Sequence, residues 1–215
     1  MIRLVVFDLD GTLIDSSADL ATGINATLAR LAPGSPPLPL EQVRRFIGDG
    51  ARVLVARSLA AAGLATPVEE AVPLFFDAYA RHLLDTTHLY PGVVEVLDRL
   101  RPRSLGVLTN KPGGFSRTIL EGLGVAERFV RVYGGDEVPR KPDPAGLVRL
   151  MQETGCAADE TVMVGDSAND VLTGRHAGVR TMGVLGGFDP DGLATQAPDD
   201  LIPSLTALPD LLAGR

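Results

Sequence analysis

Two aspartates stand one residue apart near the start of the chain, in Val5-Val6-Phe7-Asp8-Leu9-Asp10-Gly11-Thr12-Leu13. Ile2 to Phe7 is almost continuously apolar and β-branched, broken only by Arg3, which predicts a buried strand. Gly11 and Thr12 turn the chain straight after the acids. Strand side chains alternate, so Asp8 and Asp10 are expected to project from the strand's C-terminal end to one side. Two carboxylates about 4 Å apart repel by roughly 4 kcal/mol at an effective dielectric of 20. A divalent cation, a shared proton or a lysine is therefore expected beside them. The bland alternative is that one aspartate caps the turn while the other faces water.

Three further strand ends carry polar groups: Thr109 and Asn110 after the second strand, Lys141 across a loop after the third, and Asp166 after the fourth, with Ser167 and Asp170 close behind. Phosphoryl transfer suits this set. A phosphate needs donors, which the Thr109 hydroxyl, the Asn110 amide and the Lys141 ammonium supply. Magnesium needs hard oxygen ligands, and Asp8 and Asp166 fit that need. An aspartate can also act as the nucleophile and form an aspartyl phosphate. Lys111 ends a strand too and competes for the phosphate. Lys141 is preferred, because the proline after it holds it out of the next helix. Asp136 and Glu137 are expected to be solvated loop acids.

The elements that must position these residues follow from periodicity and punctuation. Ser16 with Asp19 reads as a helix N-terminus, and Leu20, Ile24, Leu28 and Leu31 repeat at helical spacing. Short helices follow over Leu40 to Ile47 and about Ala51 to Ala62, with Gly48-Asp49-Gly50 between them. Another starts at Thr66-Pro67 and reaches about Leu84, with Pro73 expected to kink or split it. Residues 15–88 thus read as a small helical unit. From Tyr90-Pro91-Gly92 onward short apolar strands alternate with helices. Strands are expected at Leu105–Leu108, Phe129–Tyr133, Thr161–Val164, Val179–Val184 and Asp200–Ile202, with a last helix over Leu205–Leu212. That alternation predicts an α/β fold with a parallel sheet covered on both faces. The helical unit is an insertion into it, giving a core of residues 1–14 and 89–215 and an insert of residues 15–88. In such sheets ligands bind beyond the C-terminal strand ends, where all four polar signals fall.

Composition bounds the rest. The 215 residues are 45% hydrophobic, with a formal charge of −7 and one cysteine, Cys156. No basic stripe suggests nucleic acid, no apolar run approaches a membrane span, and no internal disulfide can form. The short N-terminal apolar run does not read as a signal peptide, and a cytoplasmic location is expected. His82, His88 and His176 have no metal-ligand spacing.

The ordered pieces Asp8-Leu9-Asp10-Gly11-Thr12-Leu13, Thr109-Asn110, Lys141-Pro142 and Gly165-Asp166-Ser167-Ala168-Asn169-Asp170 resemble the motifs of the haloacid dehalogenase-like superfamily. The resemblance covers nearly the whole chain and implies a Rossmann-like core with a mobile helical cap. Within the superfamily the chain looks most like phosphoglycolate phosphatases, on Thr-Asn-Lys-Pro at 109–112, Tyr-Pro-Gly-Val at 90–93 and Ile-Gly-Asp-Gly-Ala at 47–51. What it implies is a magnesium-dependent phosphatase acting on a small anionic phosphomonoester, as a monomer or homodimer. Asp8 would attack phosphorus and ligate the metal. Asp10 would protonate the leaving alcohol and then activate water, its backbone carbonyl touching the metal. Thr109 and Asn110 would hold the phosphate, Lys141 would steady it together with Asp8, Asp166 would complete the direct ligands, and Asp170 would support them. The second acid excludes true dehalogenases, whose halide leaves unprotonated. Discrimination among substrates would fall to the cap, where the Gly50 turn and Arg52 are the candidate readers of a carboxylate. Asp49 departs from the asparagine common in such phosphatases and adds negative charge near that turn. The alternatives are a phosphatase of another small metabolite, such as a sugar phosphate or pyrophosphate, a phosphomutase or phosphotransferase on the same scaffold, and a phospho-acceptor module.

Overall fold

The structure, a computed structural model, describes residues 1–213. Its core is a six-stranded parallel sheet in the order β5-β4-β1-β6-β7-β8, formed by β1 (Leu4–Phe7), β4 (Ser104–Leu108), β5 (Arg131–Tyr133), β6 (Thr161–Gly165), β7 (Arg180–Val184) and β8 (Asp200–Ile202). Every residue of β1 is buried, as a strand covered on both faces requires. Val5 and Phe7 join one apolar cluster and Leu4 and Val6 another, which is the alternation of a pleated strand. The first cluster packs beneath α5 (Val93–Arg99), α6 (Gly113–Gly122) and α10 (Leu208–Ala213), through Leu97, Ile119 and Leu212. The second packs beneath α7 (Ala145–Thr154), through Leu147 and Leu150. Two helices, α8 (Ala168–His176) and α9 (Pro190–Gln196), complete the layers. In register, β1 pairs Leu4 with Ser104 on one side and with Thr161 on the other.

Between β2 (Ile14–Asp15) and β3 (His88–Leu89) the chain is helical: α1 (Ser17–Leu31), α2 (Leu40–Arg44), α3 (Ala51–Ala61) and α4 (Val68–Tyr79). These helices share their own apolar cluster, with Leu20, Ile24, Val43, Leu54, Phe75 and Tyr79 at its centre. β2 and β3 pair antiparallel, Ile14 with Leu89 and Asp15 with His88, so the chain leaves and re-enters the sheet layer side by side.

Several local expectations fail for physical reasons. Pro73 does not split α4, which runs through it and ends at Tyr79 rather than near Leu84. The Ser16–Asp19 capping pair does not form: Ser16 makes no side-chain cap, and its hydroxyl donates to Asp10 instead. The Asp15 carboxylate takes the Ser17 N–H at 2.9 Å in its place. β2 and β3 are two residues each, too short to carry a periodicity in the sequence. α9 is a helix not expected from the sequence; Asp189 caps it by accepting the Gly192 N–H, and Pro190 opens its first turn.

Asp19 works elsewhere. Its buried carboxylate accepts from the N–H and hydroxyl of both Thr86 and Thr87, at 2.6–3.0 Å, and straps α1 to the segment returning to the sheet. Burial opposes the charge, but the bonds from Thr86 and Thr87 outweigh it and hold the carboxyl below its usual range. Asp19→Ala is expected to cost about 2–3 kcal/mol, because buried donors lose their acceptor. In the wild type this contribution is present above the unfolded-state pKa and fades as pH falls through the lower folded value. Urea unfolding of both proteins between pH 7 and pH 3 should show the gap closing towards acid. A gap that is constant with pH would rule out the charged strap.

Candidate active site

All four strand-end signals meet at one edge of the sheet, but the two acids after β1 do not share a partner. Lys141 lies 2.7 Å from Asp8 Oδ1 and 2.6 Å from Asp170 Oδ1, with all three side chains buried. Lys111 lies 3.0 Å from both carboxylate oxygens of Asp10, and Ser16 donates to the same group. Each acid is thus compensated by its own lysine. Lys111 is committed to Asp10 and does not touch Asp8.

Asp170 occupies the first turn of α8, and its second oxygen accepts the Ser167 N–H at 3.0 Å and hydroxyl at 2.6 Å, a capping box. Asp166 accepts the Thr12 hydroxyl at 2.9 Å and the Phe188 N–H at 2.6 Å. The turn after β1 passes so close that a Cβ on Gly11 would lie 2.3 Å from Asp166 Oδ2, and with φ at +88° only glycine fits there.

Carboxylate oxygens of Asp8, Asp166 and Asp170 lie within 4.8 Å of one another. Burial is the main cause that pushes Asp8 up to about 7; Lys141 opposes the shift and Asp170 adds to it. Asp166 is pushed up to about 8, again by burial first, then by Asp170 and Asp8. Burial also works against the Lys141 cation, but Asp170 and Asp8 outweigh it and raise its pKa. Three carboxylates facing one ammonium leave the cluster short of positive charge. A hard divalent cation fits such an all-oxygen set.

A cavity partly open to solvent lies between this edge and the helical layer. Asp8, Asp10, Thr109, Asn110 and Lys111 line it from the sheet side, and Gly50 lines it from the helical side at the start of α3. The Asn110 side chain is not free to bind phosphate. Its amide donates to the Gly48 carbonyl at 2.9 Å and the Lys141 carbonyl at 3.2 Å, and its oxygen accepts the Lys141 N–H at 2.9 Å. The side chain is spent on backbone groups, holding Lys141 and the Gly48 loop in place.

Arg52 is placed outside this site. It is exposed on α3, paired with Glu69 of α4, and does not line the cavity. Asp49 is turned away too: it accepts from Asn169 at 2.8 Å and pairs with Arg57 at 2.7 Å, so its charge does not face the cavity. Asp136 accepts the Gly113 N–H at the start of α6, and Glu137 the Gly134 N–H, so both acids brace turns. Thr12, Ser16 and Tyr79 also belong to the site or its wall, although the sequence marks Thr12 only as a turn residue, Ser16 only as a helix start and Tyr79 not at all. Among the described residues, no helix is long and apolar enough to cross a membrane.

A sheet of this topology with acids at the ends of β1 and β6 defines a class. The family model described as haloacid dehalogenase-like hydrolase matches residues 5–184. Phosphoglycolate phosphatase 1 of Pseudomonas aeruginosa is 41% identical over 216 residues, covering 96% of this chain and 78% of its own. The phosphoglycolate phosphatase of Vibrio parahaemolyticus is 38% identical, with 99% and 96% covered. A crystal structure of a predicted phosphoglycolate phosphatase from Haemophilus somnus superposes with a TM-score of 0.91 at 30% identity, over 98% of each chain. The chain belongs to the haloacid dehalogenase-like hydrolase family. Within that family it is a phosphoric monoester hydrolase.

Proposed function

We propose that the chain hydrolyses 2-phosphoglycolate to glycolate and phosphate in two steps, through an aspartyl phosphate on Asp8. The observation that carries this reading is the division of labour between the two acids. Asp8 is pinned against Lys141, Asp10 is held apart on Lys111 and Ser16, and both line one cavity. In the first step an Asp8 oxygen attacks phosphorus, the ester P–O bond breaks, and the leaving alkoxide takes its proton from Asp10. In the second step Asp10 takes a proton from water, the water oxygen attacks phosphorus, and the Asp8 carboxylate leaves as phosphate is released. Thr109 supplies a hydroxyl donor at the cavity wall, and Asn110 acts through Lys141 rather than on phosphate. Asp8, Asp166 and Asp170, with the main-chain carbonyl of Asp10, would hold magnesium, which supplies the charge neutralisation between two anions that must meet. Residues 15–88 act as a cap over a core of residues 1–14 and 89–215. A cytoplasmic location suits a chain whose one cysteine is free and buried.

The name carried by the relatives supports the substrate. The test is phosphate release from a panel of phosphomonoesters at matched concentration. Phosphoglycolate is expected to show the highest kcat/KM, at least about tenfold above p-nitrophenyl phosphate, since a recognised charged group contributes about 1.5–3 kcal/mol. Preference for a sugar phosphate would reject the substrate, and transfer to an added sugar would point to a mutase.

A further inference from the structure

The cap-side wall of the cavity is apolar, with Leu20, Ile47, Leu54, Phe75 and Phe76 among its residues. It offers no cation to a charged substrate tail, since Arg52 lies outside. Among the described residues, the one basic side chain lining the cavity is Lys111, which comes from the sheet side. Its ammonium carries three donors. Asp10 takes contacts from both of its oxygens, and the ring of Tyr79 lies 4.9 Å away.

Tyr79 itself is anomalous. It is only 1% exposed, it lines the same cavity, and its hydroxyl is buried without a well-formed hydrogen bond, the Lys111 ammonium being its polar neighbour. A buried hydroxyl without such a bond is unusual enough to need an explanation. The ring cannot readily turn to find one: Phe75 stacks on it at 5.5 Å with the planes 5° apart, and Phe115 meets it edge-on at 5.5 Å. A rigid donor beside a buried ammonium, in a cavity that already holds the nucleophile, is a receptor waiting for an acceptor.

We infer that Lys111 and the Tyr79 hydroxyl form the subsite for the substrate's carboxylate, the end opposite the phosphate, and so set the preference for a small phosphorylated carboxylic acid. This rests on the phosphoglycolate reading and assigns to Lys111 and Tyr79 the role expected of Arg52 or the Gly50 turn. A carboxylate has lone pairs for both donors. Lys111 then stands between two anions, Asp10 and the substrate tail, and offsets their repulsion. An ester whose tail is a methyl group leaves the hydroxyl as it is in the free enzyme.

The experiment compares 2-phosphoglycolate with ethyl phosphate, which has a methyl group where phosphoglycolate has its carboxylate. The quantity read is the ratio of their kcat/KM values in wild type, Lys111→Met and Tyr79→Phe. Lys111 also holds Asp10, so Lys111→Met lowers both activities, and the ratio removes the shared loss. That ratio is expected to fall about ten- to a hundredfold in Lys111→Met, the usual worth of a charge-assisted bond, and about three- to tenfold in Tyr79→Phe. In Tyr79→Phe the loss should lie mainly in KM, with Tm unchanged or raised, because the variant deletes a hydroxyl without a well-formed hydrogen bond; a purely structural role for Tyr79 would lower Tm and leave the ratio alone. A wild-type ratio in either variant overturns the proposal while the substrate reading stands. A wild-type enzyme that does not favour phosphoglycolate over ethyl phosphate overturns both. If Lys111→Met does not fold, Tyr79→Phe decides alone.

Discussion

Asp8→Asn should lose at least about a thousandfold in kcat and still fold, with higher stability than the wild type at alkaline pH when metal is withheld. The activity loss follows from chemistry: an amide nitrogen or oxygen does not replace a carboxylate as the group that bonds phosphorus, and losses of this order follow removal of a covalent nucleophile. The stability gain follows from environment. Asp8 is pushed up to about 7, chiefly by burial, against an ordinary value of 3.8. The folded state therefore holds a proton that the unfolded state has lost between those values. The wild type loses stability as pH rises through that window, and the loss is complete above about 7. Asparagine carries no such penalty, and Lys141 keeps Asp170 as a partner at 2.6 Å. Phosphate release and thermal unfolding in chelator, at pH 5 and pH 8, measure both effects. Turnover within tenfold of wild type would end the case for Asp8 as nucleophile.

The second large effect concerns the metal. Asp8 and Asp166 are both raised, to about 7 and about 8, so the metal-free protein should become less stable as pH climbs from about 4 to about 8. A divalent cation favours the charged carboxylates and removes that loss. Magnesium should therefore stabilise little at pH 5 and much more at pH 8. At a hundred times Kd the linkage is worth about 2.7 kcal/mol, or roughly 5–10 °C in Tm for a chain of this size. Activity should vanish in excess chelator and return with magnesium. Calcium should stabilise the fold without restoring turnover, because its larger, looser shell misplaces the oxygens. Full activity in chelator, or a magnesium-induced Tm shift equal at both pH values, would contradict the three-carboxylate site.

How much of this was legible depends on the range of the contact. Asp8, Asp166 and Asp170 could be found because each follows an apolar strand closed by turn residues, and parallel topology gathers such ends. Lys141 followed from the same rule. The resemblance placed Lys141 beside Asp8, where it stands, but that Lys111 serves Asp10 could not be read, because both lysines end up at one edge and only the folded loops decide their reach. Asn110 was identified as polar and central, but its partners, Gly48 and Lys141, are 62 and 31 residues away. Arg52 failed for a different reason. Helical spacing places it on α3, whereas the packing of α3 on α4 turns it towards Glu69. Ser16 and Asp19 had the right spacing for a capping box and found stronger partners in Asp10 and the Thr86-Thr87 pair. Local grammar identifies which residues are available, and tertiary competition decides how they are used.

The seating of β1 between β4 and β6 has a consequence for the order of folding. Leu4 must meet Ser104 and Thr161, so the strand that carries the nucleophile is placed by pairings across most of the chain. Loop-closure entropy and high contact order make such a step slow. The intervening helices have a cluster of their own, and their two ends are joined by the β2–β3 ladder. If they condense first, the long segment behaves as a short tether, and the search that brings β1 to β4 shrinks accordingly. Weakening the Asp19 strap should then slow refolding of the whole sheet, although no residue of the strap belongs to it.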